Sequence, residues 1–269
     1  MATAPPPPQI AAAFGVDGAA PCAVRGGQGA TFRVGNLAVK KCEDVVQTEW
    51  LCGVMETVTE RGFRIARPVR ADGGQFVVDG WFATLWVEGT TDMAGRWHEA
   101  IDACQAFHIA LNRVPWSPLL HRMDNPWGRA DAAIWAQPPV DLHIGPIADG
   151  LHRRLRPIDL PSQLVHGDPG DGNFLFAPGR PPAIIDMPPY WHPADYAIAV
   201  LIADGIAWSG APLSLLDHVA AWPQMDQLLL RAVLFRLYVG FLFRGGQSAA
   251  DRRADAYAPV INAIENWGR

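Results

Sequence analysis

The chain has 269 residues, of which 49% are apolar and 18% charged, with a formal net charge of −5. Those proportions exclude a disordered chain and leave room for one large domain or two lobes; the negative balance gives no general attraction to nucleic acid or anionic lipid. The four cysteines, Cys22, Cys42, Cys52 and Cys104, have neither C-x-x-C nor any other metal-ligand spacing and read as reduced thiols of a cytoplasmic protein.

In chain order, "MATAPPPPQI" lacks the basic region and apolar run of a signal peptide, and residues 1–20 are expected as a disordered Pro-rich tail. A glycine-rich stretch, "RGGQGATF", follows. "TFRV" and "LAVKK" flank Gly35-Asn36 and predict a tight hairpin. "EDVVQTEWLCGVMETVTERG" sets Val46, Trp50, Val54 and Val58 at four-residue steps, with Gly62 as the cap of an amphipathic helix. "RIARPVRA" and "QFVVDGWFATLWVEG" are strand-like, so residues 21–86 predict a small antiparallel sheet with one inserted helix.

Residues 87–269 read as helix-rich. "RWHEAIDACQAFHIALNRV" carries an apolar face of Ile101, Cys104, Phe107, Ile109 and Leu111, and "YAIAVLIADGIAW", "MDQLLLRAVLFRLYVGFLF" and "AYAPVINAIENW" are core helices. Leu228 to Phe243 is apolar enough to suggest a membrane span, but Arg231 and Arg236 interrupt it at a cost hydrocarbon does not bear. The fold class is α+β, a β-rich lobe joined near "LWVEG" to a larger helical lobe.

The chemistry gathers at "LVHGDPGDGNFLF". A plain turn between strands needs Gly and Asn, but not the His and Asp ahead of them. Gly26, Gly27 and Gly29 let backbone N–H groups approach phosphate oxygens, though a simple glycine hairpin has the same composition. Lys40 shares a strand face with Ala38, opposite Leu37 and Val39, and is a cation suited to phosphate. Glu49 is a candidate partner for its ammonium; solvated surface charge is the other reading of both residues. Asp186 ends the strand-like "PAII". A short turn between two strands brings Asn173 and Asp186 together, an oxygen pair that suits Mg²⁺, and leaves Asp168 free to take a proton from a hydroxyl.

These segments resemble the aminoglycoside and choline kinase branch of the protein-kinase-like phosphotransferases. "HGDPGDGN" is similar to the family's His-x-Asp-x4-Asn catalytic loop, "IID" to its metal-binding aspartate, "LAVK" to its strand lysine and "WVEG" to its hinge. "AFHIAL" and "HPADYAIA" resemble the helix before the loop and the Asp-Pro-x-x-Asp-Leu-Ala segment. The resemblance implies ATP, or another nucleoside triphosphate, with Mg²⁺ as cofactors and a small-molecule hydroxyl as acceptor. It makes Asp168 the base, Asn173 and Asp186 the metal ligands, and Lys40 the phosphate ligand oriented by Glu49. It gives adenine to the backbone at Trp86, Val87 and Glu88, and makes Asp195 the brace of the catalytic loop, with His166 a structural residue bonding backbone.

Several residues keep two readings. Asp171 is solvated or meets a cationic substrate, Asp204 is a satisfied buried carboxylate or part of the substrate cleft, and Tyr190 and Trp191 are core or acceptor pocket. Pro169-Gly170-Asp171-Gly172 and Met187-Pro188-Pro189 depart from the family pattern, which keeps a non-catalytic nucleotide-binding module as the alternative. The short Asp186–Asp195 interval leaves no phosphorylatable activation loop. No dense acidic cluster invites a polycationic aminoglycoside.

Overall fold

Alternation of apolar and polar side chains along three short runs sets the first sheet. The computed structural model describes residues 4–24, 31–121, 125–244 and 247–267. From the N-terminus its elements are α1 (Pro8–Ala13), β1 (Cys22–Ala23), β2 (Thr31–Val34), β3 (Leu37–Lys41), α2 (Val45–Thr57), β4 (Arg64–Ile65), β5 (Pro68–Val69), β6 (Val77–Val78) and β7 (Trp81–Leu85). The antiparallel order is β1-β2-β3-β7-β5, with β6 also pairing β7. Val34 pairs with Leu37 across a two-residue turn in which Gly35 takes φ +59°, a left-handed conformation glycine adopts without a Cβ penalty. Phe32, Val34, Leu37, Val39, Trp81 and Ala83 point to one side and form the small-lobe core.

That core corrects the expectation of a disordered tail. Residues 8–13 form a helix, and Ile10, Ala11 and Phe14 are buried against the sheet. An apolar sheet face needs a cover, the i, i+1, i+4 spacing supplies one, and proline is well tolerated in a helix's first turn. The helix after the hairpin also ends earlier than predicted, at Thr57 with Val58 as its cap, while Gly62 lies in the loop beyond at φ +78°. Asp44 caps its start by accepting from the Gln47 N–H at 2.9 Å. Val46 is exposed, whereas Cys52 and Val58 are buried.

The larger lobe contains α3 (Trp97–Leu111), α4 (Pro126–Trp135), α5 (Pro146–His152), β8 (Ser162–His166), β9 (Phe174–Ala177), β10 (Arg180–Ile184), β11 (Pro189–Pro193), α6 (Ala194–Trp208), α7 (Ser214–Val219), α8 (Met225–Arg244) and α9 (Gln247–Glu265). α8 is buried nearly all round from Leu228 to Val239 and packs on α4, α6 and α9, which is the environment a helix apolar on nearly every face requires. Among the described residues no helix is long and apolar enough to cross a membrane. In α3 the inward face is Ile101, Cys104, Phe107, His108 and Leu111, while Ile109, expected inside, is 68% exposed. One strand leaves the first sheet altogether: β4 pairs in parallel with β10, Arg64 opposite Ala183 and Ile65 opposite Ile184, in a three-stranded sheet ordered β4-β10-β9. The remaining pair, β11 and β8, is antiparallel.

Candidate active site

Lys40 stands on the face of β3 opposite the small-lobe core, and its ammonium pairs with the carboxylate of Asp186. Burial pulls the pKa of this lysine down to about 8. Asp186 follows β10 in a left-handed conformation, φ +53°, which aspartate bears better than most residues. β9 and β10 are antiparallel, and the Ile185 N–H donates to the Asn173 carbonyl at 3.0 Å. Asn173 and Asp186 therefore sit at the same end of one hairpin.

The segment before β9 closes on itself. The Gly170 N–H and the Asn173 side-chain Nδ2 both donate to the Asp168 carbonyl, at 2.8 and 2.7 Å, and the Asn173 N–H donates to the Gly170 carbonyl at 3.0 Å. With its nitrogen so committed, Asn173 has Oδ1 as the side-chain atom left for a ligand. His166 is fully buried; its Nδ1 accepts from the Asp168 N–H at 3.1 Å, so the proton is on Nε2, which donates to the Ile185 carbonyl at 3.0 Å. It ties the Asp168 turn to the Asp186 turn as a neutral imidazole, its pKa lowered by burial.

His108, absent from the sequence-derived site, holds the next amide. Its Nε2 accepts from the His166 N–H at 3.1 Å, and burial, with His166 beside it, lowers its pKa to about 3. The Gly167 N–H donates to the Pro188 carbonyl at 2.9 Å. These two acceptors fill the role expected of Asp195, which is corrected accordingly: its carboxylate, in the first turn of α6, makes no hydrogen bond to the loop among the described residues. Glu49 needs a like correction. Its carboxylate accepts from the Phe76 N–H at 3.0 Å and the Val77 N–H at 2.7 Å rather than pairing with Lys40. Two partly buried backbone amides require an acceptor there, and Lys40 already has one in Asp186.

Asp168 points outward, its side chain 45% exposed, and one oxygen accepts from Arg236 Nη2 at 2.5 Å. Arg236, on α8 and only 5% exposed, also donates from Nε and Nη2 to Asp204 on α6, at 2.9 and 2.5 Å. Tyr257 Oη donates to Asp204 Oδ1 at 2.5 Å and accepts from Trp208 Nε1 at 3.0 Å. Asp204 is thus a satisfied carboxylate. Burial penalises the Arg236 charge, yet the two carboxylates outweigh that penalty and hold its pKa well above the usual arginine value. Nothing in sequence spacing announced this network, whose members come from the loop and three helices.

Other expected positions scatter. Asp171 is exposed and accepts from Ser209 Oγ at 2.6 Å. Tyr190 is buried, its ring packed on Gly167 and edge-on to Phe235, and belongs to the core; Trp191, on the other face of β11, is half-buried. Between the lobes, the Trp86 N–H donates to Asn36, the Arg33 guanidinium lies 4.5 Å over the Trp86 ring and bonds Glu88 at 3.3 Å, and Val87 is half-buried. Gly26, Gly27 and Gly29 lie outside the described residues.

A β-rich lobe whose strand lysine meets an aspartate of a helical lobe, beside a His-Gly-Asp turn ending in Asn, is the arrangement of the bilobal, protein-kinase-like phosphotransferases. Comparison with solved structures agrees on the fold. A microcompartment-associated aminopropanol kinase superposes with a TM-score of 0.62 at 16% identity over 96% of this chain and 95% of that one. Amicoumacin kinase with AMP-PNP, Ca²⁺ and its ligand gives 0.61 at 12% over 91% and 88%. A thermostable mutant of aminoglycoside phosphotransferase APH(4)-Ia, in ternary complex with ADP and hygromycin B, gives 0.60 at 17% over 97% of each chain. No curated protein matches the sequence. The model of the phosphotransferase enzyme family, APH, matches residues 24–187, more than half of the chain, which therefore belongs to that family and is a small-molecule kinase.

Proposed function

We propose that the enzyme transfers the terminal phosphoryl group of ATP, in the presence of Mg²⁺, to a hydroxyl of a small molecule. The observation that carries this reading is the meeting of Lys40 with Asp186 at the hairpin end that also bears Asn173. The Asp186 carboxylate and Asn173 Oδ1 are hard oxygen donors of the kind Mg²⁺ takes from protein, the rest of its shell coming from phosphate and water. When bound, the ion neutralises phosphate charge that grows during transfer. Lys40 then exchanges Asp186 for the α and β phosphates, and Asp168 accepts the acceptor's proton through the oxygen that Arg236 does not hold. Backbone groups from Trp86 to Glu88 receive the base, and Gly26, Gly27 and Gly29 cover the phosphates. Solved proteins of the same fold have been captured with ADP, with AMP-PNP and, for an aminoglycoside 2'-phosphotransferase, with GDP, so guanine nucleotides belong in the test.

Calorimetry with AMP-PNP and with a guanine analogue, with and without Mg²⁺, tests the nucleotide half. Binding strengthens with the metal, and Asp186→Asn removes that gain. Incubation with MgATP and a panel of alcohols, sugars and amino alcohols, read as mass gain, tests the transfer half. Asp168→Asn keeps nucleotide binding and loses roughly 10²–10⁴-fold in turnover. Equal turnover in that variant, or no binding of any nucleotide, refutes the proposal.

A further inference from the structure

The catalytic turn is rich in glycine, Pro169-Gly170-Asp171-Gly172, and its own hydrogen bonds fix backbone only. The Asp168 N–H is held by His166, but no group of the turn touches the Asp168 carboxylate among the described residues. What does touch it comes from α8. A guanidinium in so apolar a helix is costly unless its donors are met, and this one is met on two sides. Asp204 takes Nε and Nη2 together as a fork, with Tyr257 and Trp208 bracing it from behind, and Asp168 takes Nη2 from the front. The side chain of Asp204 is 16% exposed and that of Asp168 is 45%. The inner carboxylate thus anchors the arginine and the arginine holds the outer one. Two aromatic rings add contact, with the centroids of Trp127 and Phe235 at 5.8 and 5.3 Å from the guanidinium carbon.

We propose that Arg236, anchored by Asp204, is a positioning residue that fixes the rotamer of the Asp168 carboxylate, leaving one oxygen tied and the other aimed at the acceptor hydroxyl. This rests on the reading of Asp168 as the base. Arg236, Asp204, Trp208 and Tyr257 all lie beyond residues 24–187, the segment the family model matches, so the device belongs to this chain's own helical lobe. Phosphoryl transfer asks a base for placement more than for proton affinity. A cation that fixes where the carboxylate sits therefore serves the reaction, because misplacement by about 1 Å costs on the order of 10²-fold.

The test uses full-length Arg236→Met, Arg236→Lys and the double variant Arg236→Met with Asp204→Asn, which leaves no stranded buried carboxylate if the single change fails to fold. Three readouts apply: AMP-PNP affinity with Mg²⁺, turnover of MgATP with the best alcohol of the panel, and the Asp168 side-chain rotamer in crystals of the parent and of the variants. Expected are a loss of about 10²-fold in kcat for Arg236→Met and for the double variant, AMP-PNP affinity within threefold of the parent, at least tenfold recovery in Arg236→Lys, and loss of the single Asp168 rotamer in Arg236→Met. A merely structural arginine would lower nucleotide affinity and kcat together, or neither, and either result overturns the proposal. If the parent enzyme phosphorylates none of the alcohols, the phosphotransfer reading has failed; the crystallographic arm still decides the positioning claim, which an unchanged Asp168 rotamer in Arg236→Met overturns.

Discussion

Gly167 is the residue of the His-Gly-Asp turn with the most measurable consequence. A Cβ built there would lie 1.9 Å from Tyr190 Cδ2 and 2.2 Å from Cε2, where carbon atoms in contact normally stand about 3.5–4.0 Å apart. The ring has little room to retreat: Tyr190 is 6% exposed, edge-on to Phe235, and Gly167 is itself tied to Pro188 across the β8–β11 pair. Overpacking of this severity puts Gly167→Ala near the upper end of the usual range, about 3 kcal/mol. Tyr190→Ala alone removes the obstacle but leaves a cavity, for about 3–5 kcal/mol. The double variant then costs about as much as Tyr190→Ala by itself, a coupling of roughly 2–3 kcal/mol. Urea denaturation of all four proteins measures it. A double variant whose loss is the sum of the two singles, within about 0.5 kcal/mol, would show that the ring does not impose glycine on the turn.

Further outcomes follow from the same coordinates. Glu49→Ala strands the Phe76 and Val77 amides and destabilises the small lobe by about 1–3 kcal/mol, yet leaves AMP-PNP affinity within a few fold, since Lys40 does not rest on it; calorimetry on the folded variant checks this. Deleting residues 1–14 uncovers the sheet face under Ile10 and Phe14 and costs about 3–6 kcal/mol, read as a lower unfolding midpoint and faster exchange across β2 and β3. His108, lowered to about 3, and His166, also lowered, are neutral in the fold, whereas the unfolded imidazoles take up protons near pH 6.5. The unfolded chain therefore binds more protons as pH falls through about 6.5 toward 3. Stability drops over that window by about 1.4 kcal/mol per pH unit for His108, with His166 adding loss in the same direction, and His108→Gln makes the slope shallower in urea titrations at stepped pH.

The parts of the fold legible in the sequence were those with local cues: the Gly35-Asn36 hairpin, the strand that puts Lys40 opposite the core, and the apolar helices of the larger lobe. The Asn173–Asp186 proximity was legible too, because a short turn between two strands leaves few alternatives. What escaped has a physical reason in each case. A proline run suggested disorder, but the residues just after it, Ile10 and Phe14, meet an apolar face that sequence alone does not display. Glu49 was a candidate partner for Lys40 and the family resemblance gave it that role, whereas orphan backbone amides, invisible in a sequence, hold it. Asp195 lost its expected role to His108, which a helical periodicity count treats as just another polar residue. Arg236 looked like an interruption in an apolar helix; its partners lie 68 and 32 residues away along the chain, and only the folded lobe brings them together.

The parallel pairing of Arg64–Ile65 with β10 has a consequence for motion. The strand that ends two residues before Asp186 is stitched to a segment from the N-terminal half of the chain, and Arg64 adds a bond from Nε to the Pro181 carbonyl at 2.7 Å. At that corner the halves behave as leaves of a book on a spine rather than as independent jaws. A movement between the halves at that corner would have to bend or break this pairing, so Asp186, at the open end of the β9–β10 hairpin, keeps its place beside the N-terminal segment.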